Sequence, residues 1–305
     1  MASTSEVARH RAGMASLLAN TIEATGDIER WLDIEVESGE ARSLTEAWLG
    51  KTQEDLSSAK PVPEDDPVRI FRIICTLLLR KARLHMIAVL QANQTNNVHS
   101  LAVQARPALE CAGQVVFIFH HLLIAPDVQM EPDRAMSVVT GYVDADIYQT
   151  IIRATNGNVG HDELLQMISD AAEAAAMSFG KPKPEHRKGK RLRQADKVAM
   201  LPGGKSWYDY LSEYFCHGEA NWTGPSWQGG VSGMNMFHEL TCGGLMRYLV
   251  DQVALMNTYA SICPVTGDAV NRRADAALAR LREVREESAT LWNDTLLAIK
   301  RNETS

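Results

Sequence analysis

The stretch VHSLAVQARPALECAGQVVFIFHHLL, Val98 to Leu123, decides how the rest of the chain is read. It holds Leu101, Val103, Leu109, Val115, Val116, Phe117, Ile118 and Phe119 with almost no charge. A helix that is apolar on nearly every side has no face to give to water, so this one is expected in the middle of its domain. Its two charges, Arg106 and Glu110, are one helical turn apart and share a face. Burying charges is costly unless they are paired, so the two mark either an internal ion pair or a site. If the pair is sealed from water, Arg106→Ala should cost about 3–5 kcal/mol.

Working outward, Asp66 and Pro67 read as an N-cap followed by the residue best suited to the first helical position. Ile70, Ile73, Ile74, Leu77, Leu78, His85 and Leu90 continue that helix, and Asn93 to Asn97 ends it. With the central helix next in line, the two should form an antiparallel hairpin. Further upstream, Ser3 with Glu6 and Ser43 with Glu46 have capping-box spacing. They predict helices to about Ala24, then to Val36, and a short one to about Ser58, before a Pro-rich turn over 60–66. Downstream, helices are expected over Pro132–Thr155, His161–Ser178, Ser206–Cys216, Met234–Ile262 and Ala269–Lys300. In the last, Leu278, Leu281, Val284, Leu291 and Ile299 form one stripe that could meet the core or a second subunit of a homodimer.

The 305 residues are 45% hydrophobic but only 6% aromatic, with Ala/Leu/Glu/Arg-rich runs in place of short β-branched ones. The fold class expected is therefore all-α, an antiparallel up-and-down helical bundle on the central hairpin with an extra C-terminal helix pair. Without an internal repeat or clear linker, 1–305 reads as a single domain. Its parts are N-terminal helices over 1–60, a core bundle over 66–178, a basic loop over 180–205, and the aromatic helix, Trp loop and C-terminal pair over 206–301. Met1 to Ser16 has no secretory pattern, and every apolar run is broken before it could span a membrane. Cys75, Cys111, Cys216, Cys242 and Cys263 lack CxxC spacing and read as buried thiols of a cytoplasmic protein.

Three constellations carry candidate chemistry. The first joins Arg106 and Glu110 to Tyr210, Tyr214 and His217, whose i, i+4, i+7 spacing aligns two phenols and an imidazole on one helical face. Such a face offers donors, a group that titrates near neutrality and an anion clamp; equally, it could be a polar network pinning two helices together. The second is the basic run from Lys181 to Lys205, with Lys188 and Arg191 near its centre, in a chain of net charge −7. It reads as a solvated loop or as an anion or nucleic-acid contact. The third is Trp207, Trp222 and Trp227, a pocket wall or an anchor for a Gly-rich loop.

Other chemistries find less. Glu213 with His217, Glu110, His120, His121, His238 and Glu239 could supply metal ligands, but no Glu-x-x-His pair occurs, and no metal is assigned. Arg80 and His85 give one Arg-x4-His match, about what chance supplies, and His85 reads as a core histidine. Dinucleotide, P-loop, GxSxG and HExxH motifs are missing, so no cofactor is assigned.

The segment Ala105-Arg106-Pro107-Ala108-Leu109-Glu110, followed about a hundred residues later by Tyr208-Asp209-Tyr210-Leu211-Ser212 and then His217, resembles the stand-alone bacterial branch of the HEPN-like helical proteins. Members of that branch show an Arg-x-x-x-Glu helix, a variable basic insertion and a Tyr…Leu-Ser…His segment. The resemblance covers roughly Pro67 to Gly218. It implies an up-and-down bundle, frequent dimerisation, and kinship with RNA-cleaving toxins and phage-defence proteins. The function expected on this basis is binding of a nucleotide, RNA end or other anion by Arg106, Tyr210, Tyr214, Ser212 and His217, assisted by Lys188 and Arg191. The alternative is a metal-independent ribonuclease in which His217 is general acid or base and Arg106 stabilises phosphate charge.

Overall fold

The computed structural model describes residues 4–37, 40–48, 50, 67–119, 194–216, 230–262 and 268–303. In chain order the elements are α1 (Thr4–Asp33), β1 (Ile34–Glu37), β2 (Glu40–Ser43), α2 (Pro67–Gln94), α3 (Val98–Phe119), α4 (Gln194–Val198), α5 (Gly204–Leu211), a π-helical turn (Ser212–Cys216), α6 (Gly230–Ser261) and α7 (Asp268–Glu303). The fold is all-α apart from the small hairpin. The helices expected within 132–178, and the Trp loop over 218–229, lie outside the described residues. By internal contacts the chain divides into two compact units, one made of 1–32, 75–117 and 193–305, the other of 33–74 and 118–192.

The first unit is built on α1. Its buried positions Val7, His10, Arg11, Met14, Leu17, Leu18, Thr21, Ala24, Thr25 and Ile28 alternate by three and four, which lays a broad stripe along one side of a helix. Glu29 receives Arg80 and Arg83 of α2 at 2.7 and 2.9 Å, while Arg11, at the other end of α1, bonds Asn93 and Asn96 after α2 has run back. Thus α1 and α2 are antiparallel. His10 lies against Gly243 and Thr25 bonds Asn257, so α6 runs parallel to α1. Thr295 and Leu291 meet His10 and Gly13, whereas Arg280 meets Asn20 and Glu23, so α7 runs antiparallel to it. The C-terminal pair is antiparallel too: Gly244 faces Trp292 and Asp251 faces Arg285.

The helical break expected near Ala24 is absent, and α1 continues to Asp33. Gly26 reads locally as a stop, yet here it gives room for α2, since a Cβ there would stand 3.1 Å from the Arg83 guanidinium. The α2–α3 hairpin follows expectation: α2 starts at Pro67, Asn96 turns the chain with φ 56°, and His85 meets Gln104 across the pair at 2.8 Å. The expectation for α3 needs one amendment. Leu101, Ala105, Leu109 and the run from Cys111 to Phe119 are buried, but Val103 is 40% exposed and Arg106, Pro107 and Glu110 are half-buried, so the helix keeps one open face.

In the second unit the chain forms a β-hairpin where helix was expected to reach Val36, with Ile34 opposite Ser43 and Glu35 opposite Arg42. The β-branched Ile34 and Val36 and the Ser-Gly at 38–39 are strand and turn signals outweighed, on a sequence basis, by the neighbouring helix. Asp33 accepts from Ser43 Oγ and the Thr45 amide, and Glu35 pairs with Arg42 and Arg69. Ser43 caps the next helical stretch, at 44–48, by accepting from the Glu46 amide, as its spacing predicts.

Candidate functional site

The open face of α3 carries His99, Val103, Arg106 and Glu110, spaced i, i+4, i+7 and i+11 along one side. Arg106 donates from Nε to Glu110 at 3.2 Å and from a terminal nitrogen to the Tyr208 hydroxyl at 2.5 Å. Its guanidinium carbon lies 4.4 Å from the centre of the Tyr208 ring. Arginine is planar and donates in a fixed fork, so one carboxylate, one phenol and one ring face set its orientation. Side-chain exposures of 23% for Arg106 and 22% for Glu110 identify this as a half-open ion pair, not one sealed from water. Burial pushes the Tyr208 phenol up, against the pull of Arg106.

α5 and the π turn bring the second half of the site. Gly203 precedes α5 with φ 70°, a left-handed conformation that glycine adopts without steric cost. Trp207 stacks on Tyr248 of α6 at 5.3 Å, and Tyr210 meets Trp207 and Phe215 edge-on at 5.9 and 5.7 Å. Phe215 in turn meets His99 at 5.3 Å. The short segment therefore runs antiparallel to α3, with Tyr208 on Arg106 at one end and Phe215 on His99 at the other. On α3 those ends are seven residues, or about 10 Å, apart.

The expected alignment of Tyr210 with Tyr214 and His217 falls on side chains outside the described residues. Across the π turn, whose backbone bonds run i to i+5, the Tyr210 ring meets that of Phe215, five residues on. A phenol on Arg106 is that of Tyr208. Ser212 donates its hydroxyl to the Tyr208 carbonyl at 2.7 Å, stabilising its own helix. The Tyr214 side chain, His217, Lys188, Arg191, Trp222 and Trp227 lie outside what is described. The end of the basic run is ordered: Lys197 is buried on α4, and Lys205 on α5 pairs with Asp209 at 2.5 Å. This part is helical where a loop was expected, because the backbone at Lys197 and Val198 packs onto Gly113 of α3.

Other candidates separate. Glu239 is held by Arg11 at 2.9 Å. Arg80 turns to Glu29 while His85 turns to Gln104, so their spacing does not bring them together. Tyr208, Phe215 and His99 are the members that sequence reasoning passed over. His99 was legible as the residue two turns before Arg106, whereas Phe215 depends on a π turn that no spacing rule for an α-helix reveals. No helix among the described residues is long and apolar enough to cross a membrane. Comparison with family models, with curated proteins and with solved structures finds no match to this chain.

Proposed function

We propose that the face between α3 and α5 binds an anionic ligand of nucleotide or RNA type. The observation that supports this reading is Arg106, a half-exposed guanidinium oriented by Glu110 and Tyr208 within a row of half-buried aromatic rings. Phosphate prefers a planar, pre-oriented donor fork, and bases prefer aromatic faces beside it. Glu110 reduces the local positive charge, so the basic residues between Lys181 and Arg193, Lys188 and Arg191 among them, are assigned the long-range attraction in a chain of net charge −7. The HEPN-like resemblance adds a cytoplasmic stress or phage-defence setting and a homodimer.

The test is fluorescence anisotropy with a labelled single-stranded RNA and with a labelled nucleotide over a range of salt concentrations. Saturable binding that weakens as salt rises is expected, with Arg106→Ala reducing affinity about tenfold or more. Equal binding by parent and Arg106→Ala, or no saturable binding by the parent, overturns the reading. Gel analysis of the recovered RNA reports turnover separately: intact RNA fits a binding protein, and cleavage lost in His217→Ala fits the ribonuclease alternative.

A further inference from the structure

His10 is buried at 1% exposure where α1, α6 and α7 meet, away from the face just described. Its Nδ1 lies 2.9 Å from Thr295 Oγ, and that hydroxyl donates its one hydrogen to the Leu291 carbonyl at 2.8 Å. The threonine oxygen is thus an acceptor toward the ring, which makes His10 the neutral tautomer with its proton on Nδ1. Nε2 is then a bare lone pair, and this buried atom has no hydrogen-bond partner. It points at Gly243, where a Cβ would stand 2.8 Å from it. The ring also leans on Trp292 at 5.3 Å, and Arg247 sits over the same indole at 5.4 Å.

We infer that His10 is a proton-sensitive latch: a proton on Nε2 unseats the Leu291–Thr295 turn of α7 from α1 and α6. Protonation would create a buried N–H with no acceptor and a second cation near Arg247, and the packed ring can relieve neither while the helices stay closed. The charge that acts on the ring is that of Arg247. On α1, the neighbouring Arg11 is turned to Asn93, Asn96 and Glu239. On α6, one carboxylate oxygen of Glu239 pairs with Arg11 while the other is buried without a hydrogen-bond partner, burial pushes the Cys242 thiol up to about 11, and Arg247 is repulsive. On α7, Thr295 and Trp292 are uncharged and Asp294 is exposed.

Burial, opposed by the Leu291 carbonyl and aided by Arg247, lowers His10 below its ordinary 6.5. The folded state therefore binds fewer protons than the open one, and closure is fully stable above that value and weakens as pH falls toward the lowered one. Each pH unit in that window favours opening by up to about tenfold. The experiment is amide hydrogen exchange over 288–300 at about pH 7.5 and 5.5, corrected for intrinsic rates. Faster exchange there at the lower pH is expected in the parent. It should vanish in His10→Asn, whose amide can still donate to Thr295, and should be smaller in Arg247→Gln, because the closed state then accepts the proton more readily. Equal protection at the two pH values in the parent, or an unchanged pH response in His10→Asn, overturns the proposal. If His10→Asn does not fold, an acid response in Arg247→Gln at least as large as the parent's overturns it as well.

Discussion

Arg106 shows how far residue type alone carries an argument. Its pairing with Glu110 was legible from the four-residue spacing; its exposure was not, because the helix's composition says nothing of which side remains open. A half-exposed pair is worth less than a sealed one, so Arg106→Ala is expected to cost about 1–2 kcal/mol in urea denaturation, below the 3–5 kcal/mol of a buried pair. Tyr208→Phe tests the other partner. It removes the acceptor of the Arg106 bond and keeps the ring, so a loss of about 1 kcal/mol is expected, with the aromatic row intact by near-ultraviolet circular dichroism. Asp251 behaves differently. Burial raises its carboxyl above the ordinary value despite Arg247 and Arg285, so the folded state binds more protons and this group favours folding more as pH falls through its raised value. Asp251→Asn should therefore leave stability at neutral pH unchanged or raise it, and a fall of more than about 1 kcal/mol would show that the Arg285 pair dominates.

At the scale of elements, two glycines set how closely helices approach. A Cβ on Gly243 would lie 2.7 Å from His10 Cδ2, and one on Gly113 would lie 2.8 Å from the Lys197 carbonyl oxygen. Overpacking of this kind costs about 1–3 kcal/mol, so each alanine substitution should lower the melting temperature. Gly113→Ala is expected to be the worse, because backbone cannot swing aside as a side chain can. The long helices and the α2–α3 turn could be read from periodicity and caps, since those signals act within a few residues of one another. The continuation of α1 through Gly26 could not, because what packs against that turn, the Arg83 side chain among it, comes from more than fifty residues away. Nor could the placing of Phe215 on His99, because it depends on the π turn that follows α5.

For the whole molecule, the interior of the first unit offers its own probes. Cys75, Cys111 and Cys242 are buried, and burial further holds Cys242 in its unreactive protonated form. Peptide-resolved alkylation at neutral pH should leave all three unmodified in the native protein and modify them together on unfolding; early reaction of Cys242 alone would mean that α6 opens first. That α1 organises this unit was hidden from sequence reading, which favoured α3 for its density of apolar residues. The polar stations of α1, His10, Arg11, Thr25 and Glu29, are what tie it to three other helices, and their partners are far away in the chain.

That separation matters while the polypeptide is being made. Arg11 and Glu239 are 228 residues apart, so at about 5–20 residues per second the first helix spends roughly 10–45 seconds outside the ribosome before its partner on α6 exists. Throughout that interval its broad apolar stripe, meant for α6 and α7, is on offer to chaperones and to other nascent chains.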